Sequence, residues 1–119
     1  MKVSIIIGHA PSKRFEAIVD SGSAICLFHA NIGKALGLKL KDGEPGTLGG
    51  VVGGAVGEVY YHKIKLKLLA DIIPITAGFS EKLGAAAILG RHGFFEHYTV
   101  TFDPCNNPPS LVVERFHRA

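Results

Sequence analysis

The chain has 119 residues, 47% of them hydrophobic and 19% charged, with 13 Lys+Arg against 10 Asp+Glu and a formal charge of +3. That is the length and balance of one globular domain spanning residues 1–119, large enough to hold a core without disulfides or a structural metal. No stretch approaches the ~20 consecutive apolar residues of a membrane span, and the apolar run Ile5–Ile7 is too short for a signal peptide. Cys26 and Cys105 are the only cysteines and neither lies in a C-x-x-C, which argues against zinc and thioredoxin chemistry. The chain is therefore expected in the cytoplasm, with no membrane partner.

In chain order, Val3–Ile7 and Phe15–Val19 are two β-prone runs around a turn-rich His9–Lys13, the pattern of a hairpin. The second run breaks at Asp20-Ser21-Gly22-Ser23 and a short strand follows over Ile25–Phe28. Ala30–Leu38 carries Ile32, Leu36 and Leu38 at near-helical spacing, so one short helix is predicted, ended by Gly37. From Thr47 to Gly57, five of eleven residues are glycine. Such a segment is too costly in backbone entropy for a stiff core element, yet Val51, Val52, Ala55 and Val56 are β-prone, so a mobile hairpin is predicted. Strands are predicted over Glu58–Leu69, Ile72–Ile75, Ala85–Leu89, Tyr98–Phe102 and Leu111–Phe116, with a helical turn over Gly93–Tyr98 and a Pro/Asn-rich turn over Pro104–Pro109. Many short strands with one small helix make the chain mostly β. Lys63, Lys65 and Lys67 alternate as on the wet face of a strand, and no RNA- or DNA-binding motif accompanies them, so no nucleic-acid partner is expected. Cys26, in an apolar run, reads as a small buried hydrophobe.

One motif carries chemistry. The apolar Ile18-Val19 projects Asp20 at a strand end, Gly22 permits a tight turn, and Ser21 supplies a short hydroxyl to hold the loop. Asp-Ser-Gly alone is common in surface turns. What lifts it is an apolar strand on each side and a second apolar-apolar-Gly at Ile88-Leu89-Gly90. The glycine-rich segment has no G-x-G-x-x-G and no G-K-[ST], the six histidines form no H-x-x-x-H, and there is no G-x-S-x-G. Phosphate-loop, zinc-peptidase and serine-hydrolase chemistry therefore find no support.

AIVDSGSA, a Gly-rich hairpin and then AAILGRHGFFEHYTVTFDP resemble, in order and spacing, the retropepsin-like aspartic proteases. The resemblance covers almost the whole chain. It implies an all-β, closed-barrel acid-protease half with one or two short helices, active as a homodimer on peptide or protein substrates, with no metal or cofactor. It implies Asp20, Ser21 and Gly22 as the catalytic triplet. Gly49, Gly50, Val51, Val52, Gly53 and Gly54 would belong to the flap over substrate, and Ile88, Leu89, Gly90 and Arg91 would brace the active-site turn. Apolar pocket residues are expected at Ile25, Val51, Val52 and Ile75. The chain departs from the pattern at Ala24, where retroviral members carry an Asp that pairs with the Arg of the later motif, and His92 stands where Asn or Asp is common. Val3 already begins the first hairpin, so the retroviral N-terminal interface strand has almost no counterpart, and the dimer geometry must differ or rest on the C-terminal strands. Only Asp20 among the four aspartates is followed by Ser-Gly, so a two-carboxylate site needs two chains. The rival reading is a catalytically silent protease-like module that dimerises or binds peptides.

Overall fold

The structure is a computed structural model that describes residues 1–48, 57–105 and 110–115. Its first strand, β1 (Lys2–Ile7), turns through Gly8, whose φ of +62° suits glycine, into β2 (Ala10–Pro11). The predicted Phe15–Val19 strand is split at Ala17 into β3 (Phe15–Glu16) and β4 (Ile18–Val19). β3 pairs antiparallel with β1, whereas β4 leaves to pair with a distant strand, and the buried Ala17 marks the parting, its N–H bonded to Met1 O at 2.7 Å. One apolar run therefore serves two partners, which composition does not reveal.

After β5 (Leu27–His29), helix α1 covers Ala30–Ala35 and stops three residues short of the predicted end. The His29 ring caps its start by accepting from Asn31 N–H at 3.1 Å, and the chain leaves through Gly37 at φ +85°. Gly33 inside the helix has a packing reason: a Cβ there would lie 2.7 Å from Leu38 and 3.1 Å from Phe79. A 3-10 turn (Leu40–Asp42) leads to β6 (Glu44–Leu48), then β7 (Gly57–Leu68) and β8 (Asp71–Ser80), joined by a two-residue turn. β9 (Ala87–Leu89), β10 (Tyr98–Asp103) and β11 (Ser110–Arg115) complete the chain. No helix among the described residues is long and apolar enough to cross a membrane.

β8 is far longer than the predicted Ile72–Ile75. Beyond the predicted end, Gly78 is a crossing point, where a Cβ would meet Val59 at 2.6 Å and Leu27 at 2.9 Å. The glycine admits two neighbours.

The large sheet runs β2-β1-β7-β8-β5-β9-β4, with β3 also on β1 and β6 also on β7. Because β4 is joined through Ala17 to β3, and β3 pairs with β1, the sheet closes on itself. The even residues of β7 (Ile64, Leu66, Leu68) and the odd residues of β8 (Ile73, Ile75, Ala77, Phe79) fill the main core with Val3, Ile5, Phe28 and Phe94. A smaller cluster of Leu27, Val59, Leu83 and Ile88, with Ile25 and Tyr61 against it, lies apart from that core.

β10 and β11 pair with each other from Tyr98↔Arg115 to Asp103↔Ser110, so the two C-terminal strands form their own hairpin. Tyr98 docks it: 1% exposed, its ring stacks on Phe94 at 5.3 Å and its hydroxyl donates to Asp71 Oδ2 at 3.0 Å. Arg115, opposite Tyr98, reaches Asp71 Oδ1 at 3.3 Å.

Two predictions follow from local strain and from this latch. Leu69, at the β7–β8 turn, holds φ +56° while 68% of its surface is exposed, so its side chain gains little from burial. Leu69→Asn should raise stability by about 1 kcal/mol, seen as a higher denaturation midpoint, because Asn tolerates this conformation. Burial, then the bond to Asp71 and its charge, push the Tyr98 phenol up to about 12, with Arg115 opposing. A raised pKa stabilises fully below the ordinary tyrosine value of 10 and loses that contribution as pH climbs toward 12. Tyr98→Phe should therefore cost about 1–2 kcal/mol at neutral pH and flatten the alkaline decline, measured by chemical unfolding between pH 7 and 11.5.

Candidate active site

The loop from β4 to β5 carries Asp20. Its N–H bonds to Leu89 O at 3.0 Å, prolonging the parallel β4–β9 pairing, and its carbonyl accepts from Ser23 N–H at 3.1 Å, closing a tight turn. The carboxylate is held from within the turn by Gly22 N–H, which donates to Oδ1 at 2.8 Å. A Cβ on Gly22 would press on that oxygen at 3.0 Å. Asp20 is half-buried, while Ser21 and Gly22 are exposed. The hydroxyl that ties the loop belongs to Ser23, buried and donating to Ile25 O at 2.8 Å, rather than to Ser21. The loop-holding hydroxyl expected at Ser21 is thus supplied two residues later, one beyond the turn glycine.

β9 threads between the two strands that this loop connects. Ile88 lies opposite Ile18 of β4 in parallel and opposite Leu27 of β5 in antiparallel. The chain then passes Gly90 so closely that a Cβ there would sit 2.2 Å from Ile25 O and 2.7 Å from Ser23 O. Beyond it, Arg91 N–H donates to Ser23 O and His92 N–H to Ala24 O, both at 2.9 Å. Ile88, Leu89, Gly90 and Arg91 thus meet the Asp20 turn through backbone bonds and close packing. Cys26 adds a clasp missed at the sequence level: its Sγ accepts from Gly90 N–H at 3.4 Å and lies 3.5 Å from His92 O. Burial pushes this thiol up to about 11, against the Gly90 hydrogen bond and aided by the Glu96 charge, so it stays protonated.

The Arg91 side chain is exposed and makes no hydrogen bond or ion pair among the described residues, consistent with Ala24 offering no carboxylate. Instead His92 turns to Glu96, 3.7 Å away, and Glu96 accepts from Gly93 N–H at 2.9 Å. Gly93 itself has φ +102°. The predicted helical turn is present as an irregular one, with Tyr98 N–H bonded to Phe94 O and Phe95 N–H to Gly90 O.

Ile18, 40% exposed, stands two residues before Asp20 on the same side of β4. Its cross-strand partner Ile88 belongs to the smaller apolar cluster, so that cluster, with Ile25 and Tyr61 against it, extends the apolar wall that begins at Ile18. Ile25 is placed there. Ile75 is not: it is 7% exposed within the main core, because β8 turns its odd residues inward. The arms β6 and β7 pair from Glu44↔Tyr61 to Leu48↔Gly57. Gly49, Gly50, Val51, Val52, Gly53 and Gly54, read as the flap, lie outside the described residues. Among the described residues no three His, Cys, Asp or Glu side chains gather in a way that could hold a metal ion.

The close approach at Gly90 sets a sharp expectation. Gly90→Ala forces a methyl into two backbone carbonyls, which have no room to retreat within a three-strand weave. Destabilisation of about 3 kcal/mol or more is expected by chemical unfolding, against less than about 1 kcal/mol for an alanine at the exposed Ser21.

No protein-family model and no curated protein matches this chain. Its structure is similar to that of a retropepsin-like aspartic protease from Rickettsia conorii, with a TM-score of 0.59 over 94% of this chain and 79% of that one, at 11% sequence identity. The chain therefore has the all-β retropepsin-like fold.

Proposed function

We propose that the protein is an aspartic endopeptidase whose active site is completed by a second copy of the chain. The observation that carries this reading is the seat of Asp20. A half-buried carboxylate stands at a strand end beside an apolar wall, held by Gly22 N–H at 2.8 Å in a turn that the Gly90 loop braces from behind. The likeness to the Rickettsia conorii protease supports it at the level of fold.

One carboxylate is not enough for the chemistry. Hydrolysis of an amide by this route needs a base to take a proton from water and an acid to protonate the leaving nitrogen. Two carboxyl groups about 3 Å apart divide those roles, because they cannot both ionise and so share one proton. Each chain supplies a single Asp-Ser-Gly, so the second Asp20 comes from another copy. Water is the nucleophile: its oxygen adds to the carbonyl carbon while the ionised Asp20 takes its proton, and the protonated Asp20 hydrogen-bonds the carbonyl oxygen. Collapse of the tetrahedral adduct breaks the C–N bond as a carboxyl group gives the amine its proton.

The C-terminal hairpin is the surface that suits such an assembly. Tyr98, Val100 and Phe102 share a face with Leu111, Val113 and Arg115; Val100 and Val113 pack on the core, but Phe102 is 61% and Leu111 49% exposed. An overhanging apolar edge of this kind is what a second copy would cover.

The rival reading, a silent peptide-binding module, draws on the Arg91 side chain that has no acidic partner near Ala24. One experiment separates the two. Asp20→Asn should leave the circular dichroism spectrum unchanged and abolish cleavage of a mixed peptide library. When wild-type and Asp20→Asn chains are refolded together in equal amounts, about a quarter of dimers carry two wild-type subunits, so activity per total chain should fall to roughly one quarter. Retention of one half would mean that each chain works alone. A wild-type protein that binds library peptides without cutting them would favour the silent module.

A further inference from the structure

The face of β7 and β8 that carries Val59 and Tyr61 continues past the smaller apolar cluster into a strip of a different character. Along β7 the odd residues are Val59, Tyr61, Lys63, Lys65 and Lys67. The first is buried in the wall beside Asp20 and the second packs against it, whereas all three lysines are exposed. Their neighbours opposite on β8 are Thr76, Pro74 and Ile72, and opposite on β1 are Ile6 for Lys65 and Ser4 for Lys67. None of these is charged. No lysine of the three makes an ion pair among the described residues. Asp71 does not reach this face: it lies on the opposite alternation of β8, engaged by Tyr98 and Arg115. On the same face Glu44 stands opposite Tyr61, and Glu16 of β3 stands opposite Lys2, engaged by the Met1 amino group. Ile72, 52% exposed beside Lys67, adds apolar surface at the far end.

We infer that this strip docks an acidic segment of the protein substrate outside the bond that is cut. The inference rests on the protease reading for the word substrate, but its charge complementarity does not. Lysines two residues apart on a strand are about 6.6 Å apart. An extended peptide has the same repeat, so acids at alternate positions would meet Lys63, Lys65 and Lys67 in turn, with apolar residues between them toward Pro74 and Ile72. Continuity with the apolar cluster of Val59, Leu27 and Ile88 favours a peptide already engaged at the Asp20 turn. A nucleic acid would find no aromatic side chain among the three lysines and their cross-strand neighbours on which to stack a base.

Binding to the Asp20→Asn protein tests this without turnover. Two fluorescent peptides share an apolar core and differ in a tail of alternating Glu or alternating Gln, and their affinities are read by anisotropy at low ionic strength. The Glu-tailed peptide should bind about tenfold more tightly or better. That difference should vanish in a Lys63→Gln, Lys65→Gln, Lys67→Gln variant and, with the lysines intact, in 0.5 M salt, where the Debye length falls to roughly 4 Å. Equal binding of the two tails, or a preference that survives the triple variant, overturns the inference. So does lysine-dependent binding of a single-stranded oligonucleotide or of anionic vesicles in preference to the Glu-tailed peptide. If wild-type protein shows the tail preference yet cleaves neither peptide, the strip stands and the protease reading falls.

Discussion

The contact on which the rest depends is the passage of Gly90 against the carbonyls of Ile25 and Ser23, close enough that no other residue fits. β9 is only three residues long, yet it is paired on both sides, parallel to β4 and antiparallel to β5, and those are the strands joined by the Asp20 turn. A turn at the end of two unsupported strands would be a mobile surface loop. Here its backbone is bonded from behind by Leu89, Arg91 and His92, and the carboxylate is fixed relative to the sheet rather than to its own loop. Polar backbone groups in this crowded place are satisfied partly by a thiol, since Cys26 takes the Gly90 N–H.

Two apolar clusters divide the labour that follows. The main core holds the closed sheet and α1 together, while the smaller group around Leu27, Val59, Leu83 and Ile88 lies along the strands that flank the Asp20 turn. Gly78 is what lets the second cluster form, because its missing side chain lets Val59 reach Leu27 across β8. The same alternation that sends Ile73 and Ile75 inward leaves Ile72 and Pro74 on the other face, so a single strand serves core, wall and surface at different points.

Much of this could be read from residues alone where the signal was local. The strand-Asp20-turn-strand pattern and the apolar-apolar-Gly at Ile88-Leu89-Gly90 needed only a short window, and the all-β class came from the density of short β-prone runs. What escaped was non-local. The run Phe15–Val19 gave no hint that it serves two strands, since the division at Ala17 is set by partners on opposite sides of the barrel. β8 runs five residues past the predicted Ile75, through Gly78, whose place as a point of close approach is set by Val59 and Leu27 on other strands. Ile75 was assigned to a pocket because hydrophobicity alone does not say which of two faces a residue takes. Ser23 and Cys26 serve the loop through atoms whose partners lie in distant or irregular backbone.

The threading of β9 also has a consequence in time. Residues 87–92 must arrive between strands formed by residues 18–29, a closure of some sixty residues with three short strands to reward it. Loop-closure entropy makes such a step slow relative to the local β7–β8 hairpin, whose strands are joined by two residues. The Asp20 turn therefore gains its backing late, after the hairpins have formed. A chain emerging from the ribosome has no braced carboxylate until residues 87–92 have been made. The turn and its two flanking strands are thus among the first parts of the chain to be made and among the last to be held in place.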